Sequence, residues 1–80
     1  MTYYFISYRW MRYEEGRHSE PTWNFSEYLT TTHPIKWLVD IRNDHGTTLE
    51  HNRKFRVEYG LISWNEISQE IYETYKDEIG

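Results

Sequence analysis

Residues 2–12, Thr-Tyr-Tyr-Phe-Ile-Ser-Tyr-Arg-Trp-Met-Arg, are dense in aromatic and β-branched side chains and contain no helix breaker. The pattern predicts a strand with Tyr4, Ile6, Tyr8 and Trp10 on one face and Tyr3, Phe5, Ser7 and Arg9 on the other. A polar connection follows, Glu14 to Pro21, punctuated by Gly16 and Pro21. Thr22 to Thr32 then alternates again, setting Trp23, Phe25 and Leu29 against Asn24, Ser26, Tyr28 and Thr30. That is the pattern of a hairpin's return arm, and its long connection marks a candidate functional loop.

The period changes at Thr32-His33-Pro34, where Thr is a good N-cap and Pro is tolerated in the first helical turn. Ile35, Leu38, Val39 and Arg42 form one stripe, widened by Trp37 and Ile41, so this helix is expected to be buried over much of its circumference. Gly46 ends it, supplying the left-handed conformation on which helices commonly stop. From Arg53 to Trp64 a third strand shows Phe55, Val57, Tyr59 and Leu61 on one face. After Gly60 the apolar phase moves to Ile62 and Trp64, as a bulge would require. Ser68 caps a last helix in which Tyr72, Tyr75 and Ile79, joined by Ile71, make the apolar stripe, and Ile67 with Tyr72 forms a hydrophobic staple. These elements predict a single α+β domain over residues 1–80: a three-stranded, mostly antiparallel sheet with two helices, in the order β-β-α-β-α.

Composition alters this picture in one respect. Eight Tyr, four Trp and three Phe stand against only four Leu in 80 residues, so aromatic rings must carry the burial. A chain of this length hides only roughly 60 to 65% of its extended surface. Some rings are therefore left partly uncovered, and self-association into a homo-oligomer is expected to cover them. The absence of Cys removes disulfides and thiolate metal sites and fits a reducing cytoplasm. The apolar runs are far shorter than a signal peptide or a membrane span requires.

The net charge of −4 is unevenly placed. Residues 1–64 are close to balanced, whereas in the last sixteen Lys76 stands against Glu66, Glu70, Glu73, Asp77 and Glu78. Nothing forms the continuous basic stripe that duplex nucleic acid calls for. There is no Gly-x-Ser-x-Gly, Gly-rich phosphate loop or His-Glu-x-x-His. The four histidines have no metal-ligand spacing, and no cofactor or catalytic residue is indicated.

The residues suit binding better. Ser7, Arg9, Trp10 and Arg12 place guanidinium groups beside an indole and a hydroxyl, the chemistry that holds phosphate or carboxylate and stacks on a planar ring. Arg17 and His18 on the following loop are placed to close over such an anionic ligand, a nucleotide for example. His33, at a helix start, is a second candidate for meeting an anion. Arg53, Lys54 and Arg56 alternate with Phe55 and could read single-stranded RNA or DNA, but a charged outer face opposite the Phe55, Val57 and Tyr59 stripe is the preferred reading, because strand alternation already explains them.

The aromatic opening Tyr3-Tyr-Phe-Ile-Ser-Tyr8, the helix entry Thr32-His-Pro-x-x-Trp37 and the strand end Ser63-Trp-Asn-Glu-Ile-Ser68 together resemble small uncharacterised proteins of bacteria and their phages, across most of the chain. The resemblance implies a setting on phages or mobile elements, where small acidic proteins often inhibit host immunity, and no activity. The expectation is a non-enzymatic binding protein that counters a bacterial defence pathway by sequestering a signalling nucleotide or occluding a defence protein. The alternatives are a housekeeping protein–protein interaction module, with the acidic last helix docking on a basic partner, and a single-strand binder using residues 53–56.

Overall fold

The computed structural model describes residues 1–16 and 21–79. Strand β1 spans Tyr3–Glu14, β2 Asn24–Thr30, helix α1 Pro34–His45, β3 Thr47–Glu50, β4 Arg53–Ile67 and helix α2 Gln69–Ile79. The class is α+β with two helices, and every strand pair is antiparallel. The sheet has four strands rather than three, in the order β2-β1-β4-β3. The additional strand is β3, four exposed residues that pair with Arg53–Arg56 of β4. His51 and Asn52 make the turn, both with positive φ (50° and 64°), the conformation that matches a two-residue hairpin to the twist of its strands.

Long pairing between β1 and β4 is the frame. Their register runs from Tyr3↔Ile67 to Glu14↔Phe55 and slips once: Ser7 faces Ser63 and Tyr8 faces Leu61, so Ile62 is the extra residue. The bulge thus lies two positions beyond Gly60. Gly60 serves another purpose, described below.

Directly paired residues share a face. Tyr4, Ile6, Tyr8 and Trp10 lie with Thr30, Tyr28, Ser26 and Asn24, while Phe5, Ser7 and Arg9 lie with Leu29, Glu27 and Phe25. Helix α1 covers the first face, with Trp37 edge-on to Tyr8 at 4.9 Å and stacked on Tyr28 at 5.8 Å. Helix α2 lies on the second, its Tyr72 ring 4.7 Å from Tyr3. The core between these layers is small: Ile6 is fully buried, Leu29 nearly so, and Pro34 joins them.

Local details depart from the sequence pattern in instructive ways. The N-cap of α1 is His33 rather than Thr32, with the Ile35 N–H donating to His33 Nδ1 at 3.2 Å. Gly46 has φ −71°, a right-handed conformation. Its glycine is needed for space instead, since a Cβ there would collide with the Arg42 carbonyl oxygen. Ile35 and Val39, expected inside, are each 49% exposed, because α1 meets the sheet through Trp37 and turns its Ile35–Val39 side outward. Ser68 does cap α2, accepting the Ile71 N–H at 3.2 Å.

Candidate functional site

β1 runs without a break past Trp10 to Glu14, so strict alternation separates the candidates proposed from sequence. Trp10 and Arg12 stay on the α1 face, while Ser7 and Arg9 stay on the α2 face. Trp10 is half-buried and donates through Nε1 to Ser26 Oγ at 3.2 Å. Arg12 is engaged locally: its Nη2 bonds Glu50 Oε2 at 2.6 Å, and its guanidinium lies 4.2 Å above the Phe55 ring. Ser7 lines a shallow depression with Phe25, Glu27 and Ile62. Arg17 and His18 lie outside the described residues.

The secondary candidates are occupied as well. Arg53 pairs with Glu14 at 3.8 Å, while Lys54 and Arg56 pair with Glu15 at 3.3 and 3.7 Å. Two acids at and just after the end of β1 thereby pair with all three bases of β4. His33 spends its Nδ1 lone pair on the helix cap, and its ring stands between Tyr4 (5.7 Å) and Trp64 (6.1 Å).

Arg9 has a different environment. It lies across the backbone of β4 at Gly60, its register partner, where an added Cβ would come within 3.0 Å of Nε and 3.4 Å of Cγ. The missing side chain lets the arginine lie flat. Its guanidinium rests 4.4 Å from the centre of the Trp23 ring. From the far side of the sheet, Arg42 of α1 reaches the edge that β3 leaves uncovered and bonds the Tyr59 carbonyl oxygen through Nε (3.2 Å) and Nη2 (2.9 Å). Arg9, Trp23 and Arg42 line one open groove of about 410 Å³, floored by residues 57–60 of β4.

Charge pairing singles this groove out. Among the described residues, Arg12, Lys36, Arg53, Lys54, Arg56 and Lys76 each have a carboxylate within ion-pair distance. Arg9 and Arg42 do not, and both are in the groove. Two uncompensated guanidinium groups at one place repel each other and favour an anion between them. The planar guanidinium stacked on the indole extends a flat platform on which a ring can lie. The groove also contains Glu58, whose carboxylate accepts the Tyr13 hydroxyl at 3.2 Å. A carboxylate at that end repels a second phosphate but accepts a sugar hydroxyl.

Arg9 is visible from the sequence; Trp23 and Arg42 show there only as strand and helix face residues. Their signals were present in Trp23 preceding the second strand and in Arg42 continuing an otherwise apolar stripe. Among the described residues no cluster of His, Asp or Glu could hold a metal ion, and no helix is long and apolar enough to cross a membrane. Comparison of the chain with protein-family models, with curated proteins and with solved structures found no match.

Proposed function

We propose that this is a non-enzymatic binding protein whose groove between Arg9, Trp23 and Arg42 holds a small anion bearing a planar ring, for which a nucleotide is the matching chemical class. The observation that carries the reading is the coincidence of the two described Lys/Arg side chains lacking a carboxylate partner with the half-buried Trp23 ring in one groove. A phosphate would bridge the two arginines, a base would stack along the Arg9–Trp23 pair, and Glu58 would accept from the sugar. Sequestration of a signalling nucleotide is the role such a site supports, and the phage or mobile-element setting rests on the motif resemblance alone. Single-strand binding through Arg53, Lys54 and Arg56 is disfavoured, because displacing Glu14 and Glu15 would have to precede it.

The test is calorimetry with mono-, di- and cyclic nucleotides, with inorganic phosphate and a neutral nucleoside as the two halves of the ligand. Losing one charge-assisted contact costs about 1.5–3 kcal/mol, so Arg9→Ala and Arg42→Ala should each weaken binding roughly 10- to 140-fold. Trp23→Ala should affect nucleotides but not phosphate. No heat with any nucleotide, or wild-type affinity in both arginine variants at an unchanged melting temperature, would refute the site.

A further inference from the structure

On the same sheet face, roughly 13 Å along β1 from Arg9 at the usual rise per residue, α2 leaves a second groove. It holds about 320 Å³ and is lined by Phe5 and Leu29, Ile67 at the end of β4, and Ile71, Tyr75 and Ile79 of α2, with Asn65 as the one polar residue on its wall. Helix α2 lies over β1 and β2, with the Tyr72 ring 4.7 Å from Tyr3. None of its residues is buried, and Ile71 and Tyr75 remain 47% and 45% exposed. The apolar stripe of this helix is thus only half used by the fold.

The charges beside the stripe say what would complete it. At 100° per residue, Glu70, Asp77 and Glu78 fall on the side of α2 next to Ile71, away from Tyr72. Among the described residues none of these three has a cation within ion-pair distance; Lys76 is committed to Glu73 at 2.7 Å. A second copy of the chain laid into the groove through its own α2 would bring two such acidic stretches together, at a cost in like-charge repulsion. The groove wall also offers an occupant almost no hydrogen-bonding group. A bound segment must therefore satisfy its own backbone, as a helix does and an extended strand does not.

We infer that the groove between α2 and the sheet docks the apolar face of a basic amphipathic helix from a partner protein, with Lys or Arg flanking its apolar anchors to meet Glu70, Asp77 and Glu78. This surface shares no residue with the Arg9–Trp23–Arg42 groove. It would allow one molecule to hold a small anion and a protein at the same time.

The probe is a synthetic Leu/Lys amphipathic helical peptide, compared by fluorescence anisotropy with two controls: a Leu/Glu peptide of the same apolar pattern, and a scrambled Leu/Lys peptide of the same composition. The expected result is saturable binding of the first alone, weakened about tenfold or more by Ile71→Ser and by the Asp77→Lys, Glu78→Lys pair, and unchanged by Arg9→Ala. Amide shift changes in labelled protein should centre on Phe5, Leu29, Ile71 and Tyr75. Equal binding of the scrambled peptide would reduce the interaction to bulk charge and overturn the inference. So would a dimeric native mass that Ile71→Ser converts to monomer, which would assign the groove to a second copy. Because Ile71 is half exposed, its variant should retain the wild-type melt. If it does not, the charge pair carries the test, since both of its positions are exposed.

Discussion

Arg9 and Arg12 are three residues apart on one strand and on opposite faces of the sheet, so a paired substitution tests the proposed site against the scaffold. Arg12→Ala removes an ion pair between groups 42% and 53% exposed, worth about 0.2–1 kcal/mol, and a cation–π contact with Phe55 worth about 0.5–1 kcal/mol at an exposed position. The sum, roughly 0.7–2 kcal/mol, should lower the melting temperature of a domain this size by about 3–16 °C. Binding of a nucleotide should not change, because Arg12 projects from the α1 face and contacts Glu50 and Phe55. Arg9→Ala loses only the stacking on Trp23, about 0.5–1 kcal/mol of stability, but one charged ligand contact, for a loss of roughly 10- to 140-fold in affinity. Arg9→Lys retains the charge without the planar fork and should fall between Ala and wild type. Each variant is measured by calorimetry against the best nucleotide and by thermal melting. If Arg12→Ala weakened binding as much as Arg9→Ala while the fold was retained, the ligand would sit at the strand end and the assignment to the β4 edge would be wrong.

Other consequences follow from the fold. Ile6 is fully buried, so Ile6→Ala should cost about 2–5 kcal/mol out of the roughly 4–12 kcal/mol expected for 80 residues; a chemical denaturation midpoint close to wild type would show that the core lies elsewhere. Burial, with a smaller contribution from Tyr8, raises the Tyr59 hydroxyl above its ordinary 10.0. The folded protein therefore holds that proton more tightly than the unfolded chain does. The associated stability is complete below pH 10 and is lost as pH rises through the folded value, which a phenolate absorbance titration alongside alkaline melts would follow; Tyr59→Phe should flatten that part of the profile. The accessible surface is 5980 Å², whereas a compact monomer of this mass exposes about 5,240 Å². Part of that surface is large apolar side chains left exposed, Ile35 and Val39 at 49% and Trp64 at 41%, which an interface would cover. We expect the exposed Ile35, Val39 and Trp64 to join two copies, so light scattering should give twice the chain mass and Val39→Lys should halve it, while a monomer at ~100 µM would remove this expectation.

Much of the architecture is legible in the chain because it depends on neighbours a few residues apart. Period-2 alternation in residues 2–12, Pro34 after a cap, and Ser68 three residues before the Ile71 amide are all near-range signals, and each produced the element it indicates. Strand β3 was not legible. Thr47-Thr-Leu-Glu50 has no buried face of its own and is a strand only because β4 runs long enough to offer it an edge.

The candidate site lies almost wholly beyond sequence reach. The chain shows that Arg9, Trp10 and Arg12 are close together, but closeness along a strand places neighbours on alternate faces. Whether the strand ends at Trp10 or continues is decided by β4, twelve of whose fifteen residues pair with it. That same register puts Gly60 under Arg9 and leaves the β4 edge free for Arg42, drawing together residues 33 and 51 positions from the first arginine in the chain. Local propensity determines which elements form. Which guanidinium groups find a carboxylate and which do not is a matter of register and sheet edges, and those exist only once the chain has folded.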